Sequence, residues 1–213
     1  HGCPSIIFSS TSAVYGYPPR VPVTEEEPIA PVSVYGSSKQ MVEEMIEWYW
    51  KIYGIRSVSL RYFNAAGAML DGSLGEAHTR ESHIIPLALE VASGKREEFK
   101  LNGNDYDTPD GTCIRDYIHI VDLADAHIKA MEYLAKGQRS VALNLGVGKG
   151  YSNLEVLDTV ERVTGKKVMR SFGPRRPGDP AKLWADNQKA KKVLGWEPKY
   201  PDLETIIETA WKW

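Results

Sequence analysis

A chain of 213 residues with 42% hydrophobic side chains is long enough to bury one sizeable core or two small ones. Its 26 basic and 28 acidic residues give a formal net charge of -2, which leaves no overall positive field for nucleic acid or an anionic membrane surface. No apolar run is long enough to span a bilayer, and two cysteines, Cys3 and Cys113, are too few for a disulfide framework. We therefore expect a folded cytoplasmic protein with reduced thiols, which binds neither nucleic acid nor membrane.

The chain begins at His1 and soon enters the apolar run Ile6-Ile7-Phe8. We predict a short buried strand from Ile6 to Ser10, and a buried strand needs neighbours on both sides. Because nothing upstream supplies one of them, we expect the sequence to be a fragment of a longer chain. The hydroxyl cluster Ser9-Ser10-Thr11-Ser12 is of the kind that lines sites at the carboxyl ends of strands, although a polar turn is the alternative.

A proline-rich loop precedes the first predicted helix. Prolines between Pro18 and Pro31 favour an extended surface segment, in which Glu25-Glu26-Glu27 is expected to be a solvated charge run. The helix is predicted from Val34 to Tyr53, because apolar residues recur there at spacings of three and four and Gly54 is a suitable stop.

Tyr35 and Lys39 lie one turn apart at the start of that helix, so their side chains share a face. A nearby ammonium group favours the ionised form of a phenol, which would let Tyr35 exchange a proton near neutral pH. The alternative is a solvated pair on an ordinary amphipathic helix, and this spacing alone does not exclude it.

Ser57 to Tyr62 is predicted to be a second strand, so strand, helix and strand form a βαβ unit that favours a parallel sheet. It ends in Tyr62-Phe63-Asn64-Ala65-Ala66-Gly67, again at the edge where ligands bind such sheets. The later predicted elements are a helix at 84–93, strands at 99–101 and 114–119, a helix at 121–135, a strand at 141–145, a helix opened by the capping box of Ser152 and Glu155, a strand at 168–172, and helices at 187–194 and 203–213.

Two adjacent arginines, Arg175 and Arg176, lie in a loop that several prolines stiffen. Each guanidinium can fork onto phosphate oxygens, so the loop suits a diphosphate, and an exposed basic turn is the alternative. No histidine and cysteine cluster has the spacing of a zinc site, and no metal is expected.

Thr11, the pair Tyr35 and Lys39, and Tyr62-Phe63-Asn64 together resemble the catalytic half of the short-chain dehydrogenase/reductase superfamily, in which Ser or Thr, Tyr and Lys form a triad. Five segments are similar, in order and spacing, to the UDP-glucose 4-epimerase family within the extended branch of that superfamily. They are Phe8-Ser9-Ser10-Thr11-Ser12-Ala13-Val14-Tyr15-Gly16, Arg61-Tyr62-Phe63-Asn64-Ala65-Ala66-Gly67, Gly103-Asn104-Asp105-Tyr106, Asp110-Gly111-Thr112-Cys113-Ile114-Arg115-Asp116-Tyr117-Ile118-His119 and Pro174-Arg175-Arg176-Pro177-Gly178-Asp179. The resemblance extends over essentially the whole chain.

The resemblance implies an α/β fold, namely the C-terminal part of a Rossmann-type parallel sheet with a smaller α/β substrate-binding domain. Residues 1–62 would be the C-terminal part of the NAD-binding domain and carry the Tyr/Lys pair. Residues 63–213 would mainly bind the UDP-sugar, with the helix at 121–135 and the strand at 141–145 returning to the Rossmann domain.

By the same resemblance, Tyr35 would be the acid and base on the sugar 4-hydroxyl, and Thr11 would hydrogen-bond the reacting oxygen. The family's usual residue at Thr11 is Ser, and either hydroxyl can donate and accept. Lys39 would hold the nicotinamide ribose and Phe63 would lie against the nicotinamide, so NAD is the implied cofactor. Hydride would pass from sugar C4 to NAD⁺ and return to the other face of a transient 4-keto sugar.

A sugar that must turn over cannot be held tightly, so the binding energy would reside in the nucleotide and the diphosphate. The residues that the resemblance assigns to the UDP-sugar substrate are Asn64, His83 and Ile84 in contact with it, Lys100, Leu101 and Asn102 at the uridine, Arg115 and Arg176 on the diphosphate, and Asp179 on a ribose hydroxyl.

Leu183 falls where many of these epimerases have a tyrosine that walls the sugar pocket. A smaller side chain leaves room for an N-acetyl group, so we expect tolerance of UDP-N-acetylglucosamine and its galacto epimer. The rival activities on this fold are nucleotide-sugar 4,6-dehydration and UDP-glucuronate decarboxylation. The dehydratases carry Asp-Glu just after the threonine, where this chain has Ser12-Ala13, and this favours epimerisation over dehydration.

The sequence lacks the Gly-x-x-Gly-x-x-Gly phosphate loop that the family carries near its N-terminus. Two hypotheses follow: a partial epimerase, or a non-catalytic remnant that binds a UDP-sugar or a partner protein. Trp48, Tyr49 and Trp50 on the first helix could form the interface of a homodimer or belong to the core, and their periodicity does not decide between these.

Overall fold

The computed structural model describes residues 2–213, and helices alternate with mostly parallel strands along the chain, which confirms the predicted α/β class. In chain order the elements are β1 (Ser5–Ser9), a 3-10 helix (Ser12–Tyr15), α1 (Val34–Tyr53), β2 (Arg56–Tyr62), β3 (Asn64–Ala66), α2 (Ile84–Ala92), β4 (Phe99–Asn102), β5 (Ile114–Arg115), β6 (Tyr117–His119), α3 (Ile120–Ala135), β7 (Val141–Leu145), β8 (Tyr151–Ser152), α4 (Asn153–Thr164), β9 (Arg170–Gly173), β10 (Lys182–Leu183), α5 (Gln188–Leu194) and α6 (Leu203–Lys212).

β2 is the central strand of a three-stranded parallel sheet in the order β1, β2, β7. Its residues Ser57, Val58, Ser59 and Leu60 are all buried, because both faces of the strand are covered. β1 lies at the edge of the sheet and is half-buried along its whole length. The chain leaves β1, passes through α1 and returns as β2, which is the predicted βαβ unit.

The ends of α1 follow from capping chemistry. The Ser33 hydroxyl accepts a hydrogen bond of 3.0 Å from the Gly36 amide at the start of the helix. Gly54 ends the helix in the left-handed conformation, with φ of 70°, which is the predicted stop. The cap therefore fixes Tyr35 and Lys39 in the first two turns.

The parallel sheet is covered on one side by α3 and α5. Apolar residues of β2 and β7 pack there against Ala126, Ala130 and Leu134 of α3 and Ala190 of α5. Trp196 is buried with them and donates its indole N–H to the Asp122 carbonyl at 2.9 Å. The return of 120–135 and 141–145 to this sheet agrees with the predicted domain assignment, while the boundary at residue 62 stays a prediction.

A second core lies among α2, α4 and α6, with β4 beside them. The predicted capping box opens α4: the Ser152 hydroxyl accepts from the Glu155 amide, and the Glu155 carboxylate accepts from the Ser152 amide. β4 pairs in parallel with β9, which begins two residues later than the predicted strand at 168–172.

The predicted strand at 114–119 is interrupted at Asp116. β5 pairs with β10 and β8, whereas β6 pairs with β3, so the chain changes partners between them. The buried Asp116 carboxylate accepts hydrogen bonds from the amides of Val147, Gly148 and Ala185 at 2.8 to 3.1 Å. Burial raises the pKa of Asp116 to about 7, against these three donors, which lower it.

The expectation of a solvated charge run at Glu25-Glu26-Glu27 is wrong for Glu25 and Glu27, whereas Glu26 is exposed as predicted. Glu27 is buried and accepts from Arg20 Nε at 3.1 Å. The Glu25 carboxylate accepts from the Asn144 amide at 2.7 Å, and its burial raises its pKa. The run was misjudged because the proline-rich loop folds back over the carboxyl end of β7 instead of extending into solvent.

No helix within residues 2–213 combines the length and the apolarity that a membrane crossing requires. Trp48, Tyr49 and Trp50 are 61%, 45% and 37% exposed, so the alternative that they belong to the core of this chain is wrong.

Two isoleucines offer a matched test of the core. Ile118 on β6 is fully buried, whereas Ile128 on α3 is 53% exposed. We expect Ile118→Ala to lower the free energy of unfolding by about 2–5 kcal/mol, because it leaves a cavity. Ile128→Ala should change it by less than about 0.5 kcal/mol. Urea unfolding followed by circular dichroism measures both, and equal losses would contradict this placement of the core.

Candidate active site

The Tyr35 helix begins directly against the segment that carries Thr11. A Cβ atom built on Gly36 would lie 2.6 Å from the Ala13 carbonyl oxygen and 3.0 Å from Pro31 Cβ. Only glycine permits this approach of the first turn of α1 to the 3-10 helix. Thr11 precedes Ala13 by two residues and Tyr35 precedes Gly36, so the close approach brings the predicted hydroxyl and phenol to the same edge of the sheet.

Lys39 extends from α1 to the end of β1. Its Nζ donates a hydrogen bond of 2.9 Å to the Ser9 carbonyl, and it lies 5.1 Å from the ring centroid of Phe8 and 5.6 Å from that of Tyr35. Tyr35 itself is 52% exposed. The pair therefore shares one helix face, as predicted, with the ammonium group held by the strand and the phenol open to a ligand.

Thr11 caps the 3-10 helix, since its Oγ1 accepts from the Ala13 amide at 3.2 Å. The residue is 7% exposed. A hydroxyl that accepts one hydrogen bond keeps its own proton for another, so Thr11 retains a donor.

A buried polar network behind this edge was not predicted from the sequence. Arg61 of β2 binds the Glu43 carboxylate of α1 with its Nε at 3.0 Å and its Nη2 at 2.5 Å, and both side chains are less than 15% exposed. Arg61 Nη1 also donates to the Tyr15 hydroxyl at 2.9 Å, and that hydroxyl donates to Asn144 Oδ1 at 2.7 Å. Glu43 also accepts from the Ser10 hydroxyl. The network joins α1, the 3-10 helix, β2 and β7.

Two members of the network keep fixed protonation states. Burial raises the pKa of Tyr15 to about 12, although Arg61 lowers it in part, so the phenol remains a donor to Asn144. Burial alone would lower the pKa of Arg61, but the hydrogen bonds and charge of Glu43 raise it above its usual range. Tyr15 and Arg61 therefore do not titrate in the range in which a catalytic tyrosine would work.

Phe63 and Leu183 lie together in a third, small core cluster with Val14, Tyr15 and Val23. Phe63 is 5% exposed and Leu183 is 8% exposed. This cluster lies behind Thr11, since Val14 and Tyr15 belong to the 3-10 helix that Thr11 caps. Leu183 is thus placed beside Phe63 and does not line the larger cavity described next.

A cavity of about 560 Å³ lies on the other side of Asn64, between α2, β4 and the arginine loop. It collects residues that the resemblance assigns to a UDP-sugar, and those that line it are Asn64, His83, Ile84, Lys100, Asn102, Arg115, Arg176 and Asp179. Leu101 differs, because its side chain is 1% exposed and belongs to the second core. Asn64 donates to the Asp116 carbonyl at 2.7 Å and so stands between Phe63 and the cavity.

Two arginines converge at the basic end of the cavity. Arg176 Nε and Nη2 bind the two Asp179 oxygens at 3.0 and 2.9 Å, and Arg115 Nη2 lies 3.7 Å from Asp179 Oδ1. Arg175 turns away: it binds Asp105 at 2.7 Å and stacks over Tyr106 with its guanidinium carbon 4.4 Å from the ring centroid. Of the two adjacent arginines, Arg176 lines the cavity and Arg175 does not, and Arg176 is joined there by Arg115, the partner that the resemblance implies.

A histidine and glutamate cluster lies at the mouth of the cavity. Glu76, His78, Glu81 and His83 each offer one ligand atom, and these four atoms lie within 4.8 Å of one another. Sequence reasoning missed it because the search concerned histidine and cysteine spacings only. The spacing Glu-x-His-x-x-Glu-x-His was the available signal.

The sequence pattern of the family described as GDP-mannose 4,6 dehydratase matches residues 3–209. A UDP-glucose 4-epimerase from Lacticaseibacillus casei is 51% identical over 212 residues, which cover 100% of this chain and 64% of that protein. The UDP-glucose 4-epimerase from Brucella ovis, solved in complex with NAD, is 47% identical with a TM-score of 0.94, and the match covers 97% of this chain and 64% of that one.

The UDP-Glc/GlcNAc 4-epimerase from Campylobacter jejuni is 42% identical with a TM-score of 0.82, over 100% of this chain and 64% of that one. The predicted resemblance to UDP-glucose 4-epimerases is confirmed as homology. The chain spans 64% of the length of these relatives.

The Glu43–Arg61 ion pair predicts a large effect of one neutral substitution. Glu43→Gln should lower the free energy of unfolding by about 3–5 kcal/mol, because it leaves the Arg61 charge buried without its partner. Glu44→Gln is the matched control, since Glu44 is the next residue of α1, is exposed and bonds only Gln40 by 2.8 Å. It should change stability by less than about 0.5 kcal/mol in the same urea titration. Similar small effects of both would show that the pair is not buried as described.

Proposed function

The chain belongs to the GDP-mannose 4,6-dehydratase family, and on that premise we propose that it carries the catalytic edge and the nucleotide cavity of a UDP-hexose 4-epimerase. The observation that carries the proposal is that Phe63 packs with Val14 and Tyr15, which follow Thr11 in the chain, while the next residue, Asn64, lines the cavity that holds Arg115 and Arg176. The reaction moves a proton on a sugar that is bound through its nucleotide, so it needs both the proton-transfer residues and the nucleotide cavity.

Proton transfer is assigned to Tyr35. As a phenolate, its oxygen accepts the proton of the sugar 4-hydroxyl, and the resulting phenol returns that proton when the epimer forms. Lys39 stabilises the phenolate by its positive charge and is itself held by the Ser9 carbonyl. The remaining hydroxyl proton of Thr11 is directed to the reacting oxygen.

The cofactor that the family implies is NAD, which would supply reversible hydride transfer at sugar C4. The described residues fit the nicotinamide end of this cofactor: Lys39 can donate to the ribose, and Phe63 offers an apolar wall. The sequence carries no glycine-rich loop for the pyrophosphate. Because the chain spans 64% of the length of its relatives, the proposed activity is assigned to a protein of their full length, in which the residues described here would supply the proton-transfer and UDP-binding parts.

Substrate binding is assigned to the cavity. Arg115 and Arg176 bind the diphosphate by charge-assisted hydrogen bonds, and Asp179, which orients both arginines, also accepts from a ribose hydroxyl. Lys100 and Asn102 border the uridine, with Leu101 contributing backbone only. His83 and Ile84, at the start of α2, complete the cavity beside Asn64. Because these contacts are remote from C4, the sugar is free to turn.

Epimerisation is favoured over dehydration by the residues that follow Thr11. Elimination of water needs an additional acid and base, whereas Ser12 and Ala13 in the 3-10 helix supply no carboxylate. The homologues named as epimerases point the same way.

We also propose that α1 pairs with a second copy of the chain. Its outer face carries Met41, Met45, Trp48 and Ile52, which are 56–63% exposed. An apolar stripe of this kind on one helix is typical of an interface between copies.

Tyr35→Phe tests the catalytic assignment in the full-length protein. It removes the hydroxyl that moves the proton, so kcat for UDP-galactose should fall by about 10²–10⁴-fold while UDP affinity is unchanged. Tyr53→Phe, at an exposed position of the same helix, should leave kcat unaltered. An active Tyr35→Phe variant would refute the assignment, and an inactive full-length wild type that still binds UDP would favour the non-catalytic remnant.

Leu183→Tyr tests the sugar specificity. A leucine leaves more room beside Phe63 than a tyrosine does, so we expect the wild-type full-length protein to convert both UDP-glucose and UDP-N-acetylglucosamine. The substitution should lower the ratio of N-acetyl to UDP-glucose turnover by more than about tenfold. Leu70→Tyr, at a surface position, is the control. A wild type that epimerises UDP-glucose with no turnover of the N-acetyl sugar would contradict this prediction.

A further inference from the structure

Four side chains of types that bind metal ions lie close together in the segment of residues 76–83. His78 Nδ1 and His83 Nδ1 lie 2.8 and 2.7 Å from the same oxygen, Glu76 Oε1. His78 Nδ1 also lies 3.5 Å from Glu81 Oε2, and His83 Nδ1 lies 2.9 Å from Glu81 Oε1. The histidine rings face each other with centroids 5.4 Å apart. Four ligand atoms therefore surround a common centre.

From this convergence we propose that Glu76, His78, Glu81 and His83 bind a divalent transition metal ion, with Zn²⁺ as the preferred ion. Bonds of about 2.0–2.2 Å in a tetrahedral Zn²⁺ site place neighbouring ligand atoms roughly 3.3–3.6 Å apart. The contacts of 2.7 to 3.5 Å need to open by less than about 1 Å to reach that geometry.

Hydrogen bonding alone does not account for the arrangement. A neutral imidazole has one N–H, yet the Nδ1 atom of each histidine lies near carboxylate oxygens of both Glu76 and Glu81. Both histidines contact the same Glu76 oxygen. His83 also occupies the N-cap position of α2 without capping it, since no side-chain hydrogen bond to the helix amides is present at that position. Its imidazole faces the cluster instead.

The surrounding chain holds two of the ligands in place. The indole of Trp213 donates to the Glu76 carbonyl at 3.1 Å, and a Cβ on Gly75 would lie 2.4 Å from the Trp213 ring. Glu81 Oε1 accepts from the amides of Ser82 and His83 at 2.6 and 2.7 Å. The carboxylate is thus oriented before an ion binds.

The ligand set selects the ion class. Two imidazole nitrogens with two carboxylates suit Zn²⁺ and its neighbours, whereas Mg²⁺ and Ca²⁺ require oxygen ligands. Two neutral imidazoles and two carboxylates carry a charge of -2, which a divalent cation neutralises. With Nδ1 bound to the ion, each neutral imidazole would carry its proton on Nε2.

The ion would have a positioning role. It would tie Glu76 and His78 to Glu81 and His83, and so fix the segment that leads into Ile84 at the mouth of the cavity. The site does not depend on the proposed epimerase activity, and metal binding can be measured without it.

The test is Co²⁺ titration of the purified chain after treatment with a chelator, followed by displacement with Zn²⁺. We expect one Co²⁺ per chain, with the visible absorption of a four-coordinate ion, and its loss on adding Zn²⁺. His78→Ala should weaken Co²⁺ binding by at least about 100-fold, since a ligand matters at least as much as an outer-shell partner. His83→Ala should do the same.

His127→Ala is the matched control, because it removes one imidazole that contacts Ser9 and Leu123 and lies outside the cluster, so it should leave Co²⁺ binding unchanged. Zn²⁺ should raise the Tm of the wild type and of His127→Ala, and not that of His78→Ala, whose circular dichroism reports that it is folded. Wild-type Co²⁺ affinity in His78→Ala, a six-coordinate Co²⁺ spectrum, or no stoichiometric binding to the wild type would overturn the proposal.

Discussion

The buried ion pair between Glu43 and Arg61 determines where α1 lies against the parallel sheet. Arg61 is on the central strand, and its guanidinium also binds Tyr15, so one charged group links the helix to the segment that follows Thr11. A buried arginine without a carboxylate would cost several kcal/mol, so α1 cannot shift without exposing that charge to an apolar surrounding. The positions of Tyr35 and Lys39 follow from this constraint, together with the close approach at Gly36.

The proton-transfer groups and the nucleotide-binding groups of the proposed site lie in separate parts of the structure. The proton-transfer groups lie at the edge of the sheet, supported by Tyr15 and Arg61, which do not titrate near neutral pH. The arginines lie across Asn64, in a cavity built on different elements and a different core. This separation suits a substrate that is held by its nucleotide while its reacting carbon presents one face and then the other. The single metal ion proposed at Glu76, His78, Glu81 and His83 would stiffen the segment at the cavity mouth and take no part in the chemistry.

Local patterns made α1, its caps and the Tyr35/Lys39 pair predictable, because spacing along one helix fixes which side chains share a face. The βαβ unit and the α4 capping box were predictable for the same reason. The Arg61 network was not, since its partners are 18, 46 and 129 residues apart. The pairing of Arg115 with Arg176 came from the family resemblance; the spacing of residues in the loop did not show that Arg175 turns to Asp105, because neighbouring side chains in a loop diverge according to their tertiary partners.

The central claim is that nucleotide binding and proton transfer reside in separate parts of this chain. Calorimetric titration with UDP of the 213-residue chain and two variants tests it most directly. The account predicts that the wild type binds UDP, that Tyr35→Phe binds it equally well, and that Arg115→Met binds it about 10–100-fold more weakly, because a charge-assisted hydrogen bond is lost. Absence of UDP binding by the wild type, or a Tyr35→Phe loss as large as that of Arg115→Met, would contradict it.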